Sequence, residues 1–336
     1  MSNNASLSEF SLIHDYLTGL GATRQDVVLD IGDDCALTAI PPGYELAFSI
    51  DTLVSGVHFF PDCNPQALGH KSLAVGLSDL AAVGAMPAWA TLALTLPESD
   101  SIWLKSFATG IHELSLKHGL RVVGGDLTRG PLTISIQVMG LVRTGMAVRR
   151  SGAKPGDLIL VTGVLGDAGL ALRHLLACKK QNIIATDLDP ELRQRLEWPQ
   201  PRVQFGCSLP GIASAAIDIS DGLVADLGHL LTQSACGANI ELAHIPLSSQ
   251  VSAVVNQEFD WTIPLCSGDD YELCFTIPEV HLQKVQKSAH ESCCQATVIG
   301  HITETTGIRL KQSNGKVITA GNKIAATPGF DHFSSH

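Results

Sequence analysis

The sequence has few charged and few aromatic residues, and it contains no long apolar run. Of its 336 residues, 16% are charged and 5% are aromatic, whereas 45% are hydrophobic. A chain of this composition can bury a large core and lacks the polar bias of disordered segments. Its apolar runs stay below the roughly 20 residues that a membrane-spanning helix needs. We therefore expect a compact globular protein without a membrane partner.

Basic residues are scarce as well. The 22 basic residues face 33 acidic ones, so the formal net charge is -11. That charge repels the phosphates of nucleic acids, and nucleic acid is not expected as a partner. A phosphorylated small ligand would need cations from solution to approach acidic side chains, and Mg²⁺ is the obvious candidate.

The nine cysteines lack the paired short spacings of zinc sites, and their number is odd. This usage favours reduced thiols. The first basic residue is Arg24, so the positively charged start of a secretory signal is missing. We expect a cytoplasmic protein.

Several catalytic signatures are also missing. The chain has neither the P-loop motif nor the G-x-G-x-x-G dinucleotide fingerprint, so a bound nucleotide must be held in another way. It has no G-x-S-x-G elbow and no Cys-His signature, which disfavours covalent catalysis.

The length exceeds that of one hydrophobic core and predicts two domains. A turn-rich segment at 151–157 separates two series of strand and helix patterns. We therefore predict an α/β (α+β) protein with an N-terminal domain at 1–150 and a C-terminal domain at 151–336. Apolar or alternating runs predict strands at 45–51, 90–96, 120–126, 132–142 and 271–278, and helical periodicity predicts helices at 8–20, 65–85 and 99–119.

Aspartates follow several of the predicted strands. These are Asp33, Asp34, Asp51, Asp126, Asp218 and Asp221, and Asp79 lies in a helical pattern. Carboxylates at strand ends can converge at one edge of a sheet, where their oxygens suit Mg²⁺. Isolated aspartates more often cap helices or start turns, so from the residues alone both interpretations remain open.

Other candidates are weaker. The glycine pair before Asp126 lets backbone amides approach phosphate oxygens, or it only makes a tight turn. Basic residues near the predicted boundary, Arg150 among them, either reach phosphates or form a solvated loop. His58 is a ligand contact or a packed histidine, and Ser220 is a ligand contact or a helix cap.

An ordered series of motifs covers nearly the whole chain and is similar to that of the thiamine-monophosphate kinase family. The motifs are IGDDCAL at 31–37, SIDTLVSGVHF at 49–59, LAVGLSDLAAVGA at 73–85, VVGGDLTRGPL at 122–132, RSGAKPGD at 150–157, IDISDGL at 217–223, GDDYELCF at 268–275 and GFDHF at 329–333.

The resemblance implies the two-domain fold shared with aminoimidazole ribonucleotide synthetase and selenophosphate synthetase. It implies a homodimer in which N-terminal strands form a barrel, and an N-terminal domain that binds ATP and Mg²⁺ while the C-terminal domain completes the site. The implied reaction is phosphorylation of thiamine monophosphate by ATP, which gives thiamine diphosphate.

The resemblance also implies site residues. Those implied to hold several Mg²⁺ ions are Asp33, Ser49, Asp51, Asp79, Asp126, Asp218 and Asp221. Those implied to contact ATP are His118, Gly125, Asp126, Arg150 and Ser220, and those implied to contact the thiamine phosphate are His58, Asp269 and Phe330. Asp269 stands where the family has a glutamate, and His118 where it has an aromatic residue.

In this interpretation no general base is needed, because the attacking phosphate oxygen of the acceptor is already ionised near neutral pH. Two alternatives remain. One is a related ATP-dependent synthetase, and the other is a non-catalytic nucleotide-binding sensor of the same fold.

Overall fold

The structure is a computed structural model, and it describes residues 8–258, 260–312 and 316–319. The chain divides into two compact units. The first consists of the residues up to Leu80 together with Ala85–Gly145. The second consists of Ala81–Gly84 together with the residues from Met146 onward.

The first unit is built on a four-stranded sheet of order β3-β6-β4-β5, in which only β4 and β5 run parallel. A separate pair, β1 and β2, precedes it. The strands are β1 Val27–Leu29, β2 Leu37–Thr38, β3 Tyr44–Val54, β4 Met86–Leu96, β5 Arg121–Arg129 and β6 Thr133–Arg143. The helices are α1 Glu9–Leu12, α2 Pro65–Val83 and α3 Ser101–Lys117.

One face of this sheet is apolar because buried residues alternate along its strands. In β6, Ile134, Ile136 and Val138 are fully buried, whereas the residues between them are partly exposed. This period of two is what the sequence predicted for 132–142, and the predicted strand is confirmed.

Helices α2 and α3 approach each other closely through glycines. A Cβ at Gly69 would lie 2.0 Å from the carbonyl oxygen of Phe107, and one at Gly110 would lie 1.9 Å from that of Gln66. Asp100 caps α3 by accepting hydrogen bonds from the amides of Ile102 and Trp103. The first predicted helix, 8–20, is shorter than expected, because α1 passes into a π-helical turn at Ile13–Leu17 and the helix ends there.

The second unit contains a seven-stranded sheet of order β13-β12-β9-β11-β7-β10-β8, with only β9 and β12 parallel. Its strands are β7 Leu158–Thr162, β8 Ala215–Ile219, β9 Gly237–Glu241, β10 Glu272–Ile277, β11 Ala296–Thr303, β12 Gly307–Lys311 and β13 Val317–Thr319. Its helices are α4 Asp167–Gln181, α5 Pro190–Glu197, α6 Val203–Gly206, α7 Leu223–Ser234, α8 Ser249–Glu258, α9 Thr262–Cys266 and α10 Leu282–Glu291.

Strand β10 is buried along its whole length and begins with a charged residue. Glu272 is 1% exposed and receives hydrogen bonds from Arg202 at 2.6 and 2.5 Å, from Arg195 at 3.0 Å and from the Thr162 hydroxyl at 2.6 Å. A carboxylate can stay buried only with such partners. These hydrogen bonds hold the first residue of β10 in place, and with it the end of the loop that precedes the strand.

Among the described residues, no helix is both long enough and apolar enough to cross a lipid bilayer.

Candidate active site

A carboxylate cluster lies in the first unit, where β3 faces α2. Ser49 and Asp51 are two residues apart on β3 and therefore point to the same side of the sheet. The hydroxyl of Ser49 donates a hydrogen bond of 2.5 Å to Oδ2 of Asp79 on α2. The structure thus brings together three of the residues predicted as metal ligands.

Asp51 is the least satisfied member of this cluster. Its Oδ2 atom is buried and has no hydrogen-bond partner among the residues that the structure describes. Burial, together with the smaller effect of the neighbouring Asp79 carboxylate, raises the pKa of Asp51 to about 6. A buried carboxylate without a donor is costly, and a bound cation is one way to offset that cost.

The position of Asp51 corrects one expectation. The sequence placed this aspartate at the end of a strand, but it lies within β3, where it pairs with Ile136. Strand β3 continues to Val54 because Thr52, Leu53 and Val54 keep its extended pattern. Asp218 likewise lies inside β8 and is 5% exposed.

Asp126 lies apart from this cluster within the chain. It is an exposed residue in the interior of β5, and β5 is the sheet edge opposite β3, about 14 Å away at three strand spacings. Its row across the sheet contains Ala93, Ser135 and Thr52, whereas the row of Asp51 contains Ile136, Leu92 and Gly125. Adjacent rows face opposite sides, so Asp126 and Asp51 point away from each other.

Gly125 has a structural reason to be glycine. Its φ is +153°, and a Cβ there would lie 1.8 Å from the carbonyl oxygen of Leu92 on β4. In this chain the backbone of Gly125 therefore closely approaches the neighbouring strand β4. Asp33 lies in the exposed loop between β1 and β2, and its Oδ1 accepts a hydrogen bond from the amide of Asp34.

The two predicted histidines of this unit differ in their surroundings. His118 ends α3, its Nε2 is buried, and that atom has no hydrogen-bond partner in the described part of the chain. Burial lowers the pKa of His118 to about 4, with Lys117 and His70 adding to the effect, so the ring is neutral at pH 7. His58 follows β3, and its Nδ1 accepts a hydrogen bond of 2.9 Å from the amide of Val54.

In the second unit, a loop connects β8 to α7 and carries Ser220 and Asp221. The amides of Ser220, Asp221 and Gly222 all donate to Oδ2 of Asp226, at 3.1, 3.0 and 3.1 Å. Asp226 lies in the first turn of α7, where a carboxylate interacts favourably with the helix dipole. Because these amides are already bound, the loop offers its side chains rather than its amides to a ligand.

Asp226 is buried, and its pKa is raised to about 7. Burial and the Asp221 carboxylate raise this pKa, whereas the three amide hydrogen bonds lower it. Asp226 is not among the residues predicted from the sequence. An acidic residue in the first turn of a helix after a D-G turn was the signal that could have identified it.

Asp269 lies beside this loop on the segment that leads into β10. Its amide donates to the carbonyl oxygen of Ser220 at 2.9 Å, and its Oδ1 accepts from the Tyr271 hydroxyl at 2.9 Å. Asp269 has a φ of 67° and Tyr271 a φ of 48°, which non-glycine residues rarely adopt. The structure therefore brings Ser220, Asp221 and Asp269 together in the second unit.

Two predicted residues remain. Arg150 is exposed, and its carbonyl oxygen accepts a hydrogen bond from Ser234 at 2.8 Å, so its backbone is anchored while its side chain reaches solvent. Phe330 lies outside the described residues.

The comparisons with known proteins agree with these two units. The model of the AIR synthase related protein N-terminal domain matches residues 32–142, and that of the C-terminal domain matches residues 154–312. The class is thus that of AIR synthase related proteins, and the predicted two-domain α/β fold is confirmed.

Individual relatives narrow the class. The thiamine-monophosphate kinase of Escherichia coli K12 is 45% identical over 97% of this chain and 98% of its own length. The crystal structure of the enzyme of that name from Stenotrophomonas maltophilia K279a is 41% identical, with a TM-score of 0.80 over 88% of this chain and 93% of its own. A solved complex of AaThiL with AMPPCP and TMP is 30% identical, with a TM-score of 0.71 over 83% and 87%. The chain belongs to the thiamine-monophosphate kinase family.

Proposed function

We propose that this protein transfers the terminal phosphoryl group of ATP to thiamine monophosphate and so forms thiamine diphosphate. The observation that carries the proposal is the similarity, over 83% of the chain, to AaThiL complexed with AMPPCP and TMP. AMPPCP has the shape and charge of ATP, and TMP is the acceptor that the family name specifies.

Magnesium is the metal that the donor set fits best. Ser49, Asp51 and Asp79 offer only hard oxygen ligands, which Mg²⁺ prefers. The buried Oδ2 of Asp51 has no hydrogen-bond donor in the described part of the chain, which supports a cation at this position. When bound, the ions would offset the negative charge of the two phosphate groups.

The remaining predicted ligands belong to the same proposal. Asp33 and Asp126 are exposed and accessible to metal-bound phosphates. Asp221 lies in the loop that Asp226 shapes, and Asp218 precedes that loop in β8. We propose that the N-terminal domain at 1–150 binds ATP and Mg²⁺, with contacts from His118, Gly125, Asp126 and Arg150, and that the C-terminal domain at 151–336 adds Ser220.

The acceptor is proposed to contact His58, Asp269 and Phe330. Its attacking oxygen is already ionised, so the protein need not remove a proton. The obstacle is repulsion, since two unit charges about 4 Å apart repel by roughly 4 kcal/mol at an effective dielectric constant near 20. The task of the chain is therefore to orient two anions in line and to hold them there.

The exposed face of the first sheet supports a homodimer. Strand β3 is an edge strand, and its residues Phe48 and Ile50 are 67% and 64% exposed on the face opposite Asp51. Adjacent exposed apolar residues of this size on an unpaired edge favour contact with a second copy. Asp126 lies on the same face as Phe48 and Ile50. Contact with a second copy of the chain on this face would therefore also change the environment of Asp126.

A cytoplasmic location remains part of the proposal. All nine cysteines lie within the described residues and are thiols rather than disulfides, which is typical of a reducing compartment.

Release of ADP measured with and without thiamine monophosphate tests the function. We expect release that depends on the acceptor and on Mg²⁺, with one thiamine diphosphate formed per ADP. Release that requires a different acceptor would favour a related synthetase, and nucleotide binding without any release would favour a sensor.

A further inference from the structure

A second cluster of metal-binding side chains lies far along the chain from the residues of the proposed reaction. It consists of His174 and Cys178 on α4 and of Asp187 in the connection to α5. One donor atom from each residue lies within 4.8 Å of the other two. We call these three residues the α4 cluster.

Two of the three donor-donor distances in the α4 cluster are those of a tetrahedral zinc site. Nε2 of His174 lies 3.5 Å from Sγ of Cys178 and 3.2 Å from Oδ1 of Asp187. With Zn–N and Zn–O about 2.0 Å and Zn–S about 2.3 Å, tetrahedral angles place N and S about 3.5 Å apart and N and O about 3.3 Å apart. Two edges of the required triangle are therefore already present.

Local structure explains why the three side chains meet. His174 and Cys178 are four residues apart on α4 and share one face of the helix. The helix ends at Asn182 in the left-handed conformation, and the amide of Ile183 returns to the carbonyl oxygen of Cys178. This turn reverses the chain beside the same face.

The other end of the connection is anchored by packing. Leu188 is 9% exposed and packs in a cluster with Leu170 and Leu192. Asp189, which follows it, caps α5 through the amide of Glu191. Asp187 is thus next to a buried residue while its own side chain is 77% exposed.

We propose that the α4 cluster binds one Zn²⁺ ion, separately from the Mg²⁺ ions of phosphoryl transfer. Thiolate and imidazole select zinc over magnesium, which takes oxygen ligands. As the Zn–S bond forms, the thiol of Cys178 releases its proton to solvent. The exposed side of Asp187 leaves a fourth position for water, and the ion would tie the connection 182–188 to α4.

The test uses Co²⁺ as a spectroscopic substitute for zinc in the metal-free, reduced full-length protein. We expect one equivalent of Co²⁺ to produce a thiolate-to-metal charge-transfer band and tetrahedral d–d bands, and Zn²⁺ to displace it. Cys178→Ser should remove the charge-transfer band, and Asp187→Asn should weaken Co²⁺ binding about tenfold or more.

The adjacent pair Cys293 and Cys294, which is exposed or half-buried, provides the matched control. The double variant Cys293→Ser/Cys294→Ser should keep the band. A band that survives Cys178→Ser but disappears in the control variant would overturn the proposal, as would absence of any thiolate band in wild type.

Thermal unfolding provides a second test that does not depend on the absorption bands of Co²⁺. Zn²⁺ at micromolar concentration should raise the melting temperature of wild type and of the control variant, because a ligand that binds only the folded state stabilises it. The same addition should have no such effect on His174→Gln. An equal shift in His174→Gln would contradict zinc binding at this cluster.

Discussion

The two units each bury an aspartate, and the two aspartates are treated differently. Asp226 in the second unit receives three amide hydrogen bonds, whereas Oδ2 of Asp51 in the first unit receives none from the described residues. Burial raises the pKa of both. Burial and a raised pKa therefore do not by themselves identify a metal ligand. What distinguishes the two carboxylates is whether their oxygen atoms already accept hydrogen bonds. An oxygen that accepts amide hydrogen bonds shapes a loop, whereas one that accepts none is available to a cation.

The largest expected effect is on activity. Asp51→Asn should lower kcat about 10² to 10³-fold, because an electrostatic partner of the reacting phosphates is lost. Steady-state kinetics at saturating Mg²⁺ measures this. The control is Asp15→Asn, a change at a half-exposed aspartate in the π-helical turn Ile13–Leu17, which should leave kcat unchanged. Near-normal kcat in Asp51→Asn would remove Asp51 from the proposed metal site.

Substitution of Asp226 should affect the stability of the fold more than it affects kcat. Asp226→Ala leaves three loop amides without their acceptor and should lower the free energy of unfolding by about 3 kcal/mol, while Asp226→Asn, which keeps an acceptor oxygen, should cost about 1 kcal/mol. Urea unfolding of the two variants checks the order. Equal losses would mean that the amide hydrogen bonds are not what Asp226 provides.

The raised pKa of Asp51 also predicts how the stability of the protein depends on pH. The pKa of Asp51 is about 6 in the folded protein, whereas an ordinary solvent-exposed aspartate has a pKa of 3.8, so the folded state holds the proton more tightly. Its contribution to stability is therefore present at low pH and is lost as the pH rises through 6. In metal-free protein, Asp51→Asn should be more stable than wild type at pH 8 by about 2 kcal/mol and similar to it near pH 4.

Thermal unfolding with and without Mg²⁺ measures this difference. We expect Mg²⁺ to stabilise wild type at pH 8 more than at pH 5, since protonation of Asp51 competes with the metal. A stability difference between wild type and Asp51→Asn that does not change with pH would contradict the burial of a titrating carboxylate.

The smallest expected effect concerns assembly. Ile50→Lys introduces a charge on the exposed face of β3 and should weaken self-association without unfolding the chain. Sedimentation velocity over a range of protein concentrations detects the shift. Ile102→Lys, at a residue 83% exposed on α3, is the control. If both variants and wild type sediment alike, the β3 face is not the interface.

Much of the fold could be predicted from periodicity. The alternation in 132–142 identified β6, and the pattern in 99–119 together with Asp100 identified α3. Local patterns suffice there because one face of each element is buried. The helix 8–20 was predicted too long, since its apolar spacing does not reveal the π-helical turn at Ile13–Leu17.

The candidate site was harder to predict in detail. The motifs identified Ser49, Asp51 and Asp79. Only the structure shows that Asp51 lies inside a strand and that its Oδ2 receives no hydrogen bond from the residues described. From the residues alone, the glycine pair before Asp126 predicts either a phosphate contact or a tight turn, and the family resemblance implies that Gly125 contacts ATP. The close approach of Gly125 to Leu92 depends on strand pairing that the sequence does not encode locally. The three partners of Asp226 are backbone amides, which residue types do not reveal. Its place in the first turn of a helix after a D-G turn was the sequence signal that could have identified it.

The most direct measurement is calorimetric titration of Mg²⁺ into metal-free wild type and Asp51→Asn at pH 8 in the presence of AMPPCP. We predict saturable binding to wild type and affinity at least about tenfold lower for the variant, in line with the loss of a charged metal ligand. Equal affinities would contradict the claim that the unpaired carboxylate of Asp51 holds a cation.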